Sequence, residues 1–165
     1  MIGRTSRIAA LACSLALLAL AGCNPGTPES GKAQTAAPAE PSFQDFGDYQ
    51  VHYNALRTDE LSPDVARAYG IERSANRVLL NVSILHKGPD GRTEPVDGSV
   101  TARAYNLNGQ LKDLQMRRLT EGQSVYFIGE VGIAGTEILV FEIEASPAGQ
   151  ADKYAVQFKR EFFAG

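Results

Sequence analysis

Apolar and polar residues alternate along most of this chain, from residue 46 to residue 163. Alternation with a period of two is typical of β-strands that bury one face and expose the other. Seven such runs are present, around residues 49–54, 78–84, 100–104, 111–118, 125–131, 139–145 and 154–162. Turn signals separate them, among them the Asn108-Gly109 pair that favours a tight hairpin. The pattern predicts an all-β fold, an antiparallel immunoglobulin-like sandwich of about seven strands.

One segment departs from the alternation. It begins with Ser62, a good helix cap, followed by Pro63 at the first helical position, and it ends at Gly70. These are the start and stop signals of a short helix. We predict one helix inserted between the first two strands, with Val65 and Tyr69 facing the sandwich because they are spaced by four. Such an insertion either carries a function or covers an open end of the sandwich core.

The first 22 residues have a different pattern again. Arg4 and Arg7 precede an apolar run over residues 8–20, which is typical of a secretory signal and short of the roughly 20 residues that span a bilayer. The run ends in Leu-Ala-Gly-Cys at residues 20–23, which resembles a bacterial lipobox. We predict cleavage before Cys23, lipidation of its thiol and attachment to a membrane through several acyl chains.

Three domains follow from these patterns. Residues 1–22 are the signal peptide, residues 23–42 are the lipidated cysteine and a tether, and residues 43–165 are the β-sandwich. The tether is rich in Pro, Ala, Gly, Ser and Thr and has no aromatic residue, so it cannot bury enough surface to order itself. A flexible chain of its length reaches about 24 Å.

Charge and cysteine content narrow the function. Removing Arg4 and Arg7 from 16 basic residues leaves 14 against 19 acidic ones, and this mild negative charge argues against binding to nucleic acid. Cys13 leaves with the signal peptide and Cys23 is modified, so the mature domain has no free thiol for a disulfide, a metal or a nucleophile. Asn24, rather than Asp, after the cysteine favours the outer membrane over the inner, by analogy with enteric sorting.

Candidates for metal or catalytic chemistry are few. Two histidines on neighbouring strands without a third ligand make a poor metal site, and the chain has no Gly-x-Ser-x-Gly nucleophile elbow. Strand carboxylates are interpreted as solvated faces that keep the sheet soluble. We therefore expect no metal, no cofactor and no enzymatic activity. The residues considered are His52, His86 and Met116 as metal ligands, and Glu130, Glu142 and Glu144 as a hydrolytic pair.

Polar residues around the predicted helix form the best candidate binding surface. A surface so dense in donors could bind an anionic or peptide ligand through arginine forks. In the alternative interpretation these residues serve local structure: Asn54 caps a turn, Tyr53 lies in the core, and Arg73 pairs with Glu72 or Asp59. The candidate surface comprises His52, Tyr53, Asn54, Arg57, Arg67, Arg73 and Asn76.

Three stretches also resemble a known family. They are YQVHYNA at residues 49–55, PDVARAYGI at residues 63–71 and NRVLLNVS at residues 76–83. From residue 46 to residue 163 the chain resembles the proteobacterial exported proteins of domain-of-unknown-function family 4426. The resemblance implies a secreted or periplasmic all-β domain and implies no activity. Members often have a plain signal peptide, whereas the lipobox of this chain favours membrane attachment.

We therefore predict a lipoprotein of the bacterial cell envelope that faces the periplasm. Its partners are the membrane, through the lipid on Cys23, and an envelope protein that the sandwich engages as a non-catalytic binding or assembly module. The alternative is a periplasmic carrier of a small ligand or a metal. A hydrolase of the envelope ranks third.

Overall fold

The computed structural model of this protein describes residues 42–165. The predicted signal peptide, the lipidation site and nearly all of the tether lie outside the described residues, so cleavage and lipidation stay predictions. In the part of the chain that is described, no helix is both long and apolar enough to cross a membrane.

The described chain is mostly strand, and the predicted antiparallel all-β fold with one short helix is confirmed. Six of the seven predicted runs each lie in one strand, the run over residues 111–118 is divided between two strands, and the remaining strands, β1 and β4, have four residues each. The elements are β1 (Phe43–Phe46), β2 (Tyr49–Arg57), α1 (Pro63–Tyr69), β3 (Arg77–Lys87), β4 (Thr93–Val96), β5 (Gly98–Asn106), β6 (Leu111–Lys112), β7 (Arg117–Glu121), β8 (Ser124–Gly132), β9 (Thr136–Pro147) and β10 (Tyr154–Phe163).

The strands form two antiparallel sheets that pack face to face. The first sheet has the order β1-β2-β3-β8-β7, with β4 paired to the end of β3 that extends beyond β8. The second sheet has the order β10-β9-β5-β6. The chain changes sheets between β4 and β5, where Asp97 is held by Arg118 of β7 through two bonds of 2.8 Å. This bidentate pair fixes the corner at which the sheets meet.

The predicted strand over residues 111–118 is divided in two. β6 belongs to the second sheet and β7 to the first, and residues 113–116, the crossing segment, carry the chain between them. Leu114 in this segment is buried in the core. Gly129 of β8 lies against it, and a Cβ atom there would come within 2.7 Å of the Leu114 and Met116 side chains. A larger residue at this position would displace these side chains and would also press on the backbone oxygen of residue 115, 3.0 Å away.

The inner faces of the two sheets form one hydrophobic core. Val51, Leu80 and Ile84 of the first sheet and Leu139 and Phe141 of the second are completely buried. Alternation places these residues on the inner faces, since successive side chains of a strand point to opposite sides. The main core is thus the one that the period of two predicts.

Aromatic rings close the side of the sandwich where β2 faces β10. Tyr53 stacks on Phe158 at 4.7 Å between ring centroids, and Phe46 stacks on Tyr154 at the same distance. Arg160 of β10 reaches across to the backbone oxygen of β2 residue Ala55, which β1 does not pair. We call the contacts between residues 53–57 of β2 and residues 158–163 of β10 the β2–β10 seam.

The helix α1 lies on the outer face of the first sheet and does not cover an open end of the core. It begins and ends as predicted, because Ser62 accepts a hydrogen bond from the Val65 backbone and Gly70 adopts a left-handed conformation with φ of 65°. Tyr69 packs toward the sheet, as predicted. Val65 is 38% exposed, however, and Ala66 is the buried residue. The sequence therefore predicted the helix correctly and its contact face in part.

A small second core holds the helix in place. Ile71 and Ala66 pack against Leu79 of β3 and Ile128 of β8. These two strand residues lie on the outer face of the first sheet, where alternation alone would place polar residues. The outer face is apolar here because the helix covers it.

Candidate functional site

Three residues of the predicted surface belong to the β2–β10 seam. The ring of Tyr53 stacks on Phe158, and the Asn54 side chain accepts a hydrogen bond of 2.7 Å from Arg160. Arg57 forms an ion pair of 3.2 Å with Asp59 and donates to the backbone oxygen at residue 163. Each of these three side chains therefore has a structural contact that joins β2 to its surroundings.

The other four have separate contacts, and none of these contacts joins one of the four to another. The His52 ring stacks on Phe43, and burial lowers its pKa. Arg67 pairs with a helix aspartate on the exposed side of α1, and Arg73 donates a 2.6 Å hydrogen bond to the backbone oxygen of residue 59. The backbone oxygen of Asn76 accepts a bond from the amide of residue 133. None of the seven residues lines the concavities described below.

The two histidines do not approach each other. His52 follows the buried Val51 and points to the outer face of the first sheet. His86 has the same parity as the buried Ile84, and its ring lies at a tilt of 60° to that of Tyr49 on the inner side. Their side chains thus leave opposite faces of one sheet. Among residues 42–165, no three His, Cys, Asp or Glu side chains stand close enough to hold a metal ion.

The strand carboxylates are held by their neighbours. Glu144 pairs with Lys153 at 2.6 Å and Glu130 with an arginine of β3 at 3.6 Å. Glu142 accepts a 3.0 Å hydrogen bond from the Tyr105 hydroxyl, which raises the pKa of that tyrosine. Glu142 and Glu144 border a wide, shallow concavity of about 740 Å³ on the outer face of the second sheet. Its open shape and paired charges agree with a solvated face.

A smaller concavity, the helix pocket, lies between α1 and the outer face of the first sheet. Its volume is about 230 Å³. The sheet supplies most of an apolar lining, and the helix closes one side with Val65 and Tyr69. The lining residues are Leu56, Leu61, Val65, Tyr69, Leu79, Asn81, Leu119, Glu121, Tyr126 and Ile128.

Two polar contacts fix the helix side of this pocket. The Tyr69 hydroxyl donates a 2.6 Å hydrogen bond to the Glu121 carboxylate, and this bond raises the pKa of Tyr69 to about 12. Arg117 of β7 donates to the backbone oxygen of Tyr69. A guanidinium at the last carbonyls of a helix is favourable because it meets the negative end of the helix dipole. Both contacts tie α1 to β7.

Asn81 is the unusual member of the lining. It lies on β3 between Asn54 of β2 and Ile128 of β8, and its side-chain oxygen is buried without a hydrogen-bond partner in the described structure. Two other buried polar atoms are likewise without a hydrogen bond, but they belong to Arg57 and Asp59, which form an ion pair. Among residues 42–165, Asn81 therefore carries the one buried side-chain oxygen that has neither a hydrogen bond nor an ion pair.

The sequence did not predict this pocket. Asn81 occupies a polar position in the alternation of β3, which is expected of a solvated outer face. The signal that could have located the pocket is the unbroken apolar run at residues 78–80, because a strand covered on both faces has consecutive apolar residues.

Known proteins support the fold and the family. A family model for a domain of unknown function, DUF4426, matches residues 43–165. The crystal structure of a DUF4426 family protein from Pseudomonas aeruginosa has a TM-score of 0.64 and 34% sequence identity, over 74% of this chain and 94% of that one.

Two structures of FetP from uropathogenic E. coli share the fold at 11% identity. One was expressed in the periplasm and has a TM-score of 0.53, over 73% of this chain and 92% of that one. The other is a copper-bound variant with a TM-score of 0.51, over 73% of this chain and 93% of that one. No curated protein matches this chain. Because the family model covers the whole sandwich, the chain belongs to the DUF4426 family.

Proposed function

We propose that this protein is a membrane-anchored lipoprotein of the cell envelope whose sandwich is a non-catalytic binding or assembly module. In this proposal an envelope protein contacts the domain at the helix pocket, and the lipid on Cys23 with its tether keeps the domain near the membrane. The lipobox at residues 20–23 supports the anchor.

The observation that carries the proposal is the buried oxygen of Asn81 in an apolar, open pocket. A buried polar atom without a partner costs about 1–3 kcal/mol, and such sites are rare unless they serve a purpose. A side chain or ligand that enters the pocket and donates a hydrogen bond would recover part of this cost. The apolar lining around it supplies the burial that binding needs.

The arrangement of the carboxylates supports a non-catalytic role. A glycosidase needs two carboxyl groups that flank one cleft, whereas Glu142 and Glu144 are on an open face and each has a hydrogen-bonding partner. A general acid or base also needs a pKa matched to its task, and the Tyr69 and Tyr105 hydroxyls have pKa values above their ordinary range.

Site-specific photo-crosslinking in growing cells tests this proposal. A photoreactive residue replaces Val65 at the rim of the helix pocket in the full-length, lipidated protein. Arg67, on the exposed side of the same helix, is the matched control position. We expect a reproducible crosslinked species from position 65 alone, and its loss when Leu119→Trp fills the pocket. Equal products from both positions, or none from position 65 in several growth conditions, would contradict the proposal.

The second candidate is a periplasmic carrier of a small ligand or metal, favoured by the shared fold with a copper-bound FetP variant. The placement of His52 and His86 on opposite faces of the sheet disfavours a copper site formed by these two histidines together. Calorimetric titration with copper distinguishes the two functions. One equivalent bound tightly and lost in His52→Ala would support the carrier, and the binding module predicts no stoichiometric uptake.

A further inference from the structure

The helix pocket has the size of a single large side chain. Its volume is about 230 Å³, whereas pockets for small-molecule ligands usually enclose roughly 300–1,000 Å³. An apolar cavity of about 150 Å³ holds the six ring atoms of benzene, so by the same ratio about 225 Å³ holds the nine ring atoms of an indole. The volume therefore favours a bicyclic aromatic group as the occupant.

The polar groups of the pocket restrict the chemistry of this occupant. Among the described residues that line it, none is basic and one, Glu121, is acidic. Glu121 already accepts a hydrogen bond from Tyr69, and the Tyr126 hydroxyl can turn to donate or to accept. The Asn81 oxygen is the buried acceptor that has no donor. An anionic group is therefore repelled, and a group with one donor fits best.

Tryptophan is the amino acid whose side chain meets both conditions. Its indole ring has one N–H donor and no acceptor. Phenylalanine has no donor, and the tyrosine hydroxyl and the smaller histidine ring bring acceptors or a charge as well. Lysine and arginine bring three and five donors, most of which an apolar lining would leave unpaired at a cost.

The mouth of the pocket favours a protein as the source of the indole. Val65 lies at the rim and is exposed although it is apolar. An apolar rim around a pocket that takes one aromatic anchor is typical of protein interfaces, where tryptophan is enriched among the residues that dominate binding. This chain has no tryptophan, so neither a second copy nor another segment of the same chain can supply the group.

We infer that the partner inserts a tryptophan side chain into the helix pocket, where the indole N–H donates to the Asn81 oxygen. The inference rests on the proposed function, because it names the group by which the envelope protein enters the pocket. A buried indole N–H needs an acceptor, and the last torsion of an asparagine side chain is soft, so the Asn81 amide can turn its oxygen toward the ring. The apolar lining buries the rest of the indole.

Two soluble probes that differ at the donor test this hydrogen bond. N-acetyl-tryptophanamide carries the indole N–H, and its derivative methylated on the indole nitrogen does not. The full-length, lipidated protein in mild detergent is titrated with each probe, and binding is followed by indole fluorescence, since the chain has no tryptophan of its own. We expect the parent protein to bind the first probe about threefold to tenfold more tightly, which is the effect of one hydrogen bond.

Asn81→Leu separates the hydrogen bond from the bulk of the added methyl group. In this variant the two probes should have similar dissociation constants, because the acceptor is gone while the pocket keeps its size. Asn54→Leu is the matched control on the neighbouring strand, and it should keep the preference because Asn54 does not line the pocket. A preference that survives in Asn81→Leu, or no binding of N-acetyl-tryptophanamide to the parent, would overturn the inference. Circular dichroism confirms that each variant is folded.

Photo-crosslinking at position 65 in cells identifies the source of the indole. The residue placed there should attach to a partner segment that contains a tryptophan, as mass spectrometry of the crosslinked peptide would show. A crosslinked segment without tryptophan would overturn the inference and leave the proposed function standing. If the parent discriminates the two probes but position 65 gives no crosslinked species, the proposed function fails, and a free indole compound replaces the protein as the occupant.

Discussion

Replacing Asn81 with leucine should stabilise the domain. The Asn81 oxygen is buried without a partner, and an unsatisfied buried polar atom costs about 1–3 kcal/mol. Leucine has a similar shape, removes this cost and adds apolar contact with Leu79 and Ile128 in the second core. We expect the free energy of unfolding to rise by about 1–2 kcal/mol, since a branched side chain does not fit without some repacking.

Asn54 offers a matched control, because it is the same residue type directly opposite Asn81 in the neighbouring strand. Its side-chain oxygen accepts a 2.7 Å hydrogen bond from Arg160. Asn54→Leu removes that bond and should lower the free energy of unfolding by about 0.5–1.5 kcal/mol. The same substitution of asparagine by leucine should therefore raise the free energy of unfolding at position 81 and lower it at position 54.

Urea unfolding of the two variants and the parent measures this difference. The midpoint should rise for Asn81→Leu and fall for Asn54→Leu while the slope of the transition stays constant. For a domain of this size, 1 kcal/mol corresponds to a shift in Tm of about 3–5 °C. A loss of stability in Asn81→Leu would refute the reasoning, because it would mean that the oxygen has a partner. If the partner donates a hydrogen bond to Asn81, as the proposed function holds, Asn81→Leu should also lose the crosslinked species at position 65.

Three further predictions concern the anchor, acid stability and the crossing segment. Cys23→Ala should leave the β domain folded but move it out of the membrane and detergent phases, as fractionation would show; partitioning like the parent would disprove lipidation. Burial raises the pKa of Glu137, but hydrogen bonds, first from Lys112, bring it below its ordinary value. The ionised Glu137 carboxylate therefore stabilises the domain fully when the pH is above the ordinary pKa of a glutamate. This stabilisation is lost as the pH falls through the lower native pKa, so Glu137→Gln should make the free energy of unfolding depend less on pH in that range. Gly129→Ala should cost about 1–3 kcal/mol in thermal unfolding through collision with the crossing segment, whereas Gly132→Ala, with open space around it, should cost little, and equal losses would argue against the collision.

The sequence predicted those features that depend on local chemistry. Ser62 and Gly70 define the ends of α1 through capping and a left-handed backbone, both of which are properties of a few neighbouring residues. The seven runs predicted the strands because burial on one face imposes a period of two. The burial of Val51 and Phe141 in the main core follows from the same pattern.

Other features depend on contacts between distant residues, and the sequence did not predict them. Nothing in residues 62–70 states which face of the sandwich receives the helix, so the helix pocket and the role of Asn81 were missed. The predicted strand over residues 111–118 was divided because Leu114 is drawn into the core between the two sheets. Arg57 and Asn54 were candidates for ligand binding, yet each bonds to a residue of β10 about a hundred positions later in the chain.

The β2–β10 seam has a consequence for the export that the proposed function requires. Arg57 and Asn54 bond to residues of β10 that follow them by 106 positions, so the core cannot close until nearly the whole domain has been delivered. Contacts this distant in the chain also form slowly. A polypeptide that crosses a membrane in extended form benefits from this delay. Without β10, β2 has no partner across the sandwich, so the chain does not fold before its passage is complete. In the proposed export, β10 would be the last strand to cross the membrane, and its pairing with β2 would complete folding on the far side.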